Sequence, residues 1–286
     1  METVWKIFSV ANGGGLYAPP VFSLCMSVFV FLFGSCIGSF LNVCIWRIPR
    51  GESIVSPPSR CPKCGHWITA LENIPIVSWL ALRGKCSSCK EPISPRYIII
   101  ETLTGILYLL LFWNSFFGFQ LFRPGYFVLL PLLICCAVND CELGIIPNEY
   151  TYFGMGAGIL CALLVPYGAW FSFLYSFFCV LTAGGVAALF AMLGKKLFKR
   201  EALGWGDVKF LAMTGAFLGL PGVIFTVLAG SLAGLAAHPL VCRLKKRKSR
   251  TLRFGPYLAF GALLWMFVGD RLLKMYLELC AAFAQK

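Results

Sequence analysis

The chain has 286 residues, of which 59% are hydrophobic and 13% charged, with a formal net charge of +13. A soluble domain carries about 25% charged residues, so this composition excludes water as the solvent for most of the chain. The positive charge lies between apolar blocks, which argues against nucleic acid as a partner and for anionic lipid headgroups.

In chain order, residues 1–20 form a short tail with Gly13, Gly14, Gly15, Pro19 and Pro20. No cleavable signal is expected, because the segment lacks a small-residue cleavage pattern after a short apolar core. Eight apolar blocks follow, at 21–45, 98–117, 126–141, 150–166, 170–193, 207–220, 222–242 and 255–277. A bilayer-spanning helix needs about 17 to 25 such residues. The expected fold class is therefore an all-α polytopic membrane protein with about eight transmembrane helices. The third, fourth and sixth blocks are short and contain or adjoin Pro or Gly. Irregular backbone at membrane depth is tolerated around a wet or protein-lined cavity, so these blocks point to a site.

Basic residues fix the orientation. Eight fall in 46–97, five in 194–209 and seven in 241–254, twenty of the 25 in the chain. All three segments share one side of an eight-span arrangement, and the positive-inside rule makes that side cytoplasmic. The tail 1–20 is then extracytoplasmic.

Between the first two blocks, residues 46–97 are the one long polar stretch. Pro57, Pro58, Pro62, Pro75, Pro92 and Pro95 disfavour long helices there, and about fifty residues build only a weak hydrophobic core. Two C-x-x-C knuckles, Cys61-Pro62-Lys63-Cys64 and Cys86-Ser87-Ser88-Cys89, supply the missing cohesion. Paired knuckles direct four thiolates at one centre, the closed tetrahedral geometry of structural zinc. Lys63, Lys85 and Lys90 stand beside them and favour the thiolate form. A disulfide or redox pair is the alternative, disfavoured on the reducing side of the membrane. His66 reads as a neighbour of the site rather than a ligand. The other ten of the 14 cysteines are scattered, mostly in apolar blocks, and read as small apolar packing residues.

The chain holds three aspartates, Asp140, Asp207 and Asp270. Asp140 ends the third block, about 21 Å along a helix from Tyr126 at 1.5 Å per residue. Asp207 opens the sixth block in Gly204-Trp205-Gly206-Asp207-Val208-Lys209. Both acids fall at similar depth on the cytoplasmic side, where an intramembrane carboxylate faces a bundle interior or a wet cavity. Two converging carboxyls share a proton and together deprotonate water and protonate a leaving group. Gly204 and Gly206 leave room for an extended peptide beside Asp207, and Pro147 interrupts the chain just past Asp140. Each aspartate taken alone reads rather as a helix-end acid solvated at the interface, with Asp207 as a cap or dipole partner. An ion-coupled transporter with a zinc-bound regulatory loop uses the same acids and is the rival class; a non-enzymatic assembly scaffold is a third. Asp270 beside Arg271 reads as a surface pair. Glu101, early in the second block, reads as a structural partner of the module or as part of a second site.

These residues together resemble the type IV prepilin peptidases. The resemblance is carried by Gly38-Ser39-Phe40-Leu41-Asn42-Val43 with Arg47 and Pro49, both knuckles, Ser94-Pro95-Arg96-Tyr97, and Glu101 through Gly105. It continues through Asp140 with Ile146-Pro147, then Gly204-x-Gly206-Asp207-Val208-Lys209 and Phe254-Gly255-Pro256-Tyr257-Leu258-Ala259. It covers nearly the whole chain. It implies an enzyme of the bacterial inner membrane, with its active site toward the cytoplasm. Such enzymes cut the leader from type IV prepilins or pseudopilins of pilus, secretion or competence systems, then N-methylate the new terminus with S-adenosylmethionine. It implies Asp140 and Asp207 as catalytic residues, and links the tetrad Cys61, Cys64, Cys86 and Cys89 to methylation. The resulting division is 1–20 tail, 21–45 first helix, 46–97 methyltransferase-linked zinc module and 98–286 transmembrane peptidase domain. Glu101, Asn42, Arg47, Gly84 and Lys85, in family-like segments near the module, are the candidates for cofactor binding; packing and loop roles account for them equally. No G-x-G-x-x-G opens a helix after a strand, so a soluble Rossmann site is not expected. Asn139 and Asn148 depart from the family pattern, which favours an apolar residue and an aspartate there.

Overall fold

Out of water, a helix is the open-ended structure that satisfies every backbone N–H and C=O within its own segment, and the apolar blocks adopt it. A computed structural model describes residues 20–116, 123–164, 168–199, 203–244 and 253–284. The proposed tail thus lies outside the described residues except for Pro20. The chain divides into two compact units, residues 1–122 and 123–286.

In the first unit, α1 (Pro20–Arg47) runs into a 3₁₀ turn at Ile48–Arg50. The polar stretch follows, with a 3₁₀ turn at Leu71–Asn73 and the short α2 (Val77–Ala81). The unit's last helix is α3 (Arg96–Phe116). α1 and α3 pack antiparallel against each other. Near one end Trp113 Nε1 donates to Ser27 Oγ at 2.9 Å, and near the other Asn42 Nδ2 donates to the Tyr97 carbonyl at 3.2 Å. Between these, a Cβ on Gly38 would stand 2.8 Å from the Glu101 Cα. Small residues let the two backbones close where lipid supplies no hydrophobic drive for association.

In the second unit, α4 (Gly125–Leu143) and α5 (Asn148–Cys161) precede α6 (Ala169–Phe198), α7 (Trp205–Leu244) and α8 (Gly255–Ala284). α7 is the hub, packed on α5, α6 and α8, while α4 packs on α5 and α8. The apolar blocks at 207–220 and 222–242 are joined in α7, which breaks at Gly219 with φ 69° and ψ 176°. That backbone conformation is open to glycine almost alone.

α1, α3, α4, α6 and α7 are long and apolar enough to cross a membrane, and Gly255–Gly269 of α8 is a shorter apolar helix. The protein is an all-helical, multi-pass membrane protein.

Candidate active site and metal centre

In the second unit, Asp140 lies one turn from the end of α4, which Gly144 closes in the left-handed region at φ 73° with its N–H on the Asp140 carbonyl. The carboxyl is buried and reaches the start of α8, where the Gly255 N–H donates to Asp140 Oδ2 at 2.9 Å. The first N–H groups of a helix have no partner within it and favour an anion. Gly255 is required sterically, since a Cβ there would lie 2.8 Å from Asp140 Oδ2. Arg253, two residues earlier, donates to the Cys141 carbonyl and interacts electrostatically with Asp140.

Asp207 stands in the first turn of α7, where a carboxylate complements the helix dipole. The Gly204 backbone N–H bonds its carboxyl, and the two aspartates are close enough to interact electrostatically. A Cβ on Gly206 would stand 3.3 Å from the Ile146 side chain. The small residue lets α7 seat against the Ile146-Pro147 corner. Lys209 Nζ donates to Asn148 Oδ1 at 2.7 Å and lies 5.2 Å from the Tyr152 ring, pinning the start of α7 to the start of α5. Asn139, fully buried, donates to the Tyr150 hydroxyl at 3.2 Å, while its Oδ1 has no protein partner. The Asp270 side chain lies outside the described residues.

In the first unit, the Sγ atoms of Cys61, Cys64, Cys86 and Cys89 all lie within 4.8 Å of one another. Cys61 and Cys89 stand 3.8 Å apart, and Cys64 and Cys86 stand 4.0 Å apart. Four sulfurs about 2.3 Å from a tetrahedral zinc are about 3.8 Å apart, so the cluster fits that ion. The knuckles are one turn repeated. Each lies between the residues of an isolated bridge, Arg60 with Trp67 and Lys85 with Pro92. Cys61 N–H donates to the His66 carbonyl at 2.9 Å, and Cys86 N–H to the Glu91 carbonyl at 2.9 Å. Gly65 and Lys90 take the same left-handed conformation, φ 73° and 59°.

Backbone amides lead in tuning the thiols, where the sequence pointed to lysine. The N–H groups of Cys64 and then Lys63 lower the Cys61 thiol to about 7, and those of Cys89 and Ser88 lower Cys86. Lys63 instead faces Glu91 at 3.8 Å, and Lys90 donates to the Ser87 carbonyl at 2.8 Å.

Glu72 joins the two halves. Its carboxylate interacts with Ser87 of the second knuckle, with the Thr69 N–H at 2.8 Å, and with His66 Nε2 at 3.3 Å just beyond the first knuckle. The Ser87 hydroxyl above all, then Thr69, holds the carboxyl down at about 2. His66 is therefore a partner of Glu72.

The five cofactor candidates fall in separate places in this unit. Asn42 and Glu101 face each other's helices at the α1–α3 crossing. Asn42 Nδ2 bonds the Gly38 and Tyr97 carbonyls, and its Oδ1 is buried without a protein partner. Glu101 accepts the Ile76 N–H of the module at 2.8 Å and bonds the Ser39 hydroxyl. Ile76 itself is strained, with φ 63° and ψ −53°, and the Val77 N–H reaches the Pro75 carbonyl across it at 2.6 Å. This is the rare hand of γ-turn, and a β-branched residue at positive φ is a true outlier. Arg47 is committed to the Ser53 and Pro57 carbonyls, at 2.9 and 2.7 Å. Gly84, at φ 67°, leaves no space for a Cβ, which would meet Trp79 at 2.7 Å, and the Lys85 N–H bonds Leu82.

Sequence reasoning missed Arg253, Glu72 and the strain at Ile76. Gly255 was noticed only as part of a motif.

Residues 32–115 match the bacterial peptidase A24 N-terminal domain, and residues 127–238 match the type IV leader peptidase family. The chain is 43% identical over 220 residues to a prepilin leader peptidase/N-methyltransferase of Myxococcus xanthus, covering 76% of this chain and 63% of that protein. It is 34% identical to proteins of the same name from Stutzerimonas stutzeri and Pseudomonas aeruginosa, covering 91% of this chain and 95% of each. No solved structure matches the chain. With these matches, the chain belongs to the type IV leader peptidase family.

Proposed function

We propose that the chain removes the leader from type IV prepilins or pseudopilins and N-methylates the new terminus, acting at the cytoplasmic face of a bacterial inner membrane. The observation that carries the peptidase reading is the mutual approach of the Asp140 and Asp207 carboxyls. In this reading the pair holds one proton. The ionised carboxyl takes a proton from water as its oxygen attacks the scissile carbonyl carbon, and the protonated one donates to the carbonyl oxygen. Collapse breaks the C–N bond and passes a proton to the leaving amine. The Gly255 N–H fixes one Asp140 oxygen, and Arg253 holds the end of α4 beside it. About eight spans put the basic segments 46–97, 194–209 and 241–254 together on the cytoplasmic side. Segment 98–286 then carries both catalytic aspartates, and 46–97 is the zinc module that serves methyl transfer.

Zinc at Cys61, Cys64, Cys86 and Cys89 fits the sulfur spacing, and four thiolates leave no open position for water, so its role is structural. S-adenosylmethionine fits the acceptors at the α1–α3 crossing: Asn42 Oδ1 is buried without a partner, and the Glu101 carboxylate adjoins the same crossing. These suit the ammonium or ribose hydroxyls of the cofactor, while Arg47 would hold the 53–57 loop in place and Gly84 and Lys85 would shape the module. When bound, the cofactor supplies an activated methyl group.

The test is mass spectrometry of a candidate prepilin incubated with the protein in detergent. Leader loss and a gain of one methyl are expected from the native chain, and neither Asp140→Asn nor Asp207→Asn should cleave while both still bind zinc. Cleavage retained by both variants overturns the dyad. Solute flux in proteoliposomes without proteolysis would favour the transporter.

A further inference from the structure

We propose that the segment of the cysteine module around Leu71–Ala81 docks on the anionic headgroup surface of the bilayer, so that the module lies on the membrane rather than projecting from it. The proposal rests on α1 and α3 being spans, and not on the enzymatic reading.

Three observations meet here. The first is apolar exposure. Leu71, Ile74, Val77 and Leu80 recur every third residue across the 3₁₀ turn and α2, and all are exposed, Leu71 at 78%. A module held together by four sulfurs has little core, yet it leaves these side chains uncovered. Polar side chains would be expected there if the segment faced water.

Charge is the second. Residues 46–97 carry eight basic residues against Glu52, Glu72 and Glu91. The one acid of the apolar segment, Glu72, is turned inward to Ser87, Thr69 and His66, and Glu91 faces Lys63. The segment thus offers no acid of its own to repel a lipid phosphate, while the module's excess of Lys and Arg attracts one.

Tethering is the third. The module leaves α1 through the Ile48–Arg50 turn and the irregular residues 51–59, and returns to α3 with only residues 93–95 between Pro92 and Arg96. Arg50 lies 3.6 Å from the centre of the Trp46 ring. That aromatic–cation pair, at the last turn of α1, is of the kind that marks the headgroup level. The apolar segment is therefore confined near the surface it suits.

The experiment places a photoreactive benzoylphenylalanine at Leu71 or Leu80 of the full chain, in lipid nanodiscs of phosphatidylcholine with or without phosphatidylglycerol, with zinc content checked throughout. Illumination is expected to give lipid adducts, more of them in the anionic discs. Adducts confined to residues 123–286, to a second copy, or to an added prepilin overturn the proposal, as does the absence of lipid adducts. A probe at Val28 in α1 must label lipid in every disc, and its failure would indict the assignment of spans instead. As a second reading, amide exchange over 71–81 should be slower in anionic discs than in detergent. The double variant Leu71→Asp, Leu80→Asp should lose that protection while keeping its zinc.

Discussion

A single missing atom governs Asp140. Gly255 lets the first amide of α8 touch the carboxyl, and a Cβ in its place would stand 2.8 Å from Oδ2. Gly255→Ala must displace the Asp140 carboxyl from its place on the Gly255 amide, and a misplacement of about 1 Å can cost on the order of 10²-fold in rate. The expected result is a loss of leader cleavage of that order with zinc content unchanged, read from the initial rate on a synthetic prepilin. Glu72 plays the corresponding part in the module. Its carboxyl is lowered from the ordinary 4.5 to about 2. Its contribution is therefore complete at neutral pH, and is lost only as the pH falls below about 4.5 towards 2. Glu72→Gln should release zinc to a chelator several-fold faster at pH 7, with the difference from the native chain vanishing in strong acid. Asp140 and Asp207 stand out in the sequence because an acid in an apolar block is rare. Glu72 was not legible, because an acid in a polar loop is ordinary and its significance lies in the Ser87 and His66 contacts that folding creates.

At the scale of elements, hydrophobic blocks gave the positions of the helices, since bilayer length and apolar content act on each segment independently of its neighbours. The termini drifted where local chemistry decides. The sequence breaks α7 at Leu220-Pro221, but the structure breaks it at Gly219, where φ 69° and ψ 176° turn the chain and a Cβ would meet the Tyr175 hydroxyl at 3.0 Å. Proline cannot donate within a helix, yet glycine alone takes the conformation that makes the turn. Gly219→Ala is expected to destabilise the second unit by about 1–3 kcal/mol, measured as a lower midpoint of thermal unfolding in detergent. The repeat of the knuckles was invisible for a related reason: beyond the C-x-x-C spacing it is written in backbone conformation, with Gly65 and Lys90 in one conformation and no shared side chain.

For the whole molecule, the two chemistries fall in different units. The sulfur tetrad, Asn42 and Glu101 belong to residues 1–122, and both aspartates belong to residues 123–286. Each unit has its own means of support. α7 and α8 brace the aspartates through packed helices and the Gly255 amide. The module depends on the tetrad, since beyond the sulfurs its two knuckle segments are joined, among the described contacts, by Glu72 and by the exposed Lys63–Glu91 pair. Structural zinc in such a coreless segment is itself a large part of the folding free energy. Removing it should therefore act on one unit and spare the other. With Cys61→Ser and Cys64→Ser together, or after chelation of the native chain, zinc should fall from one per chain to none. The 71–81 segment should lose its amide protection, and the processed pilin should appear without its methyl group. Leader cleavage should continue at a rate close to that of the native chain. Equal loss of cleavage and methylation would mean that the aspartates need the module after all.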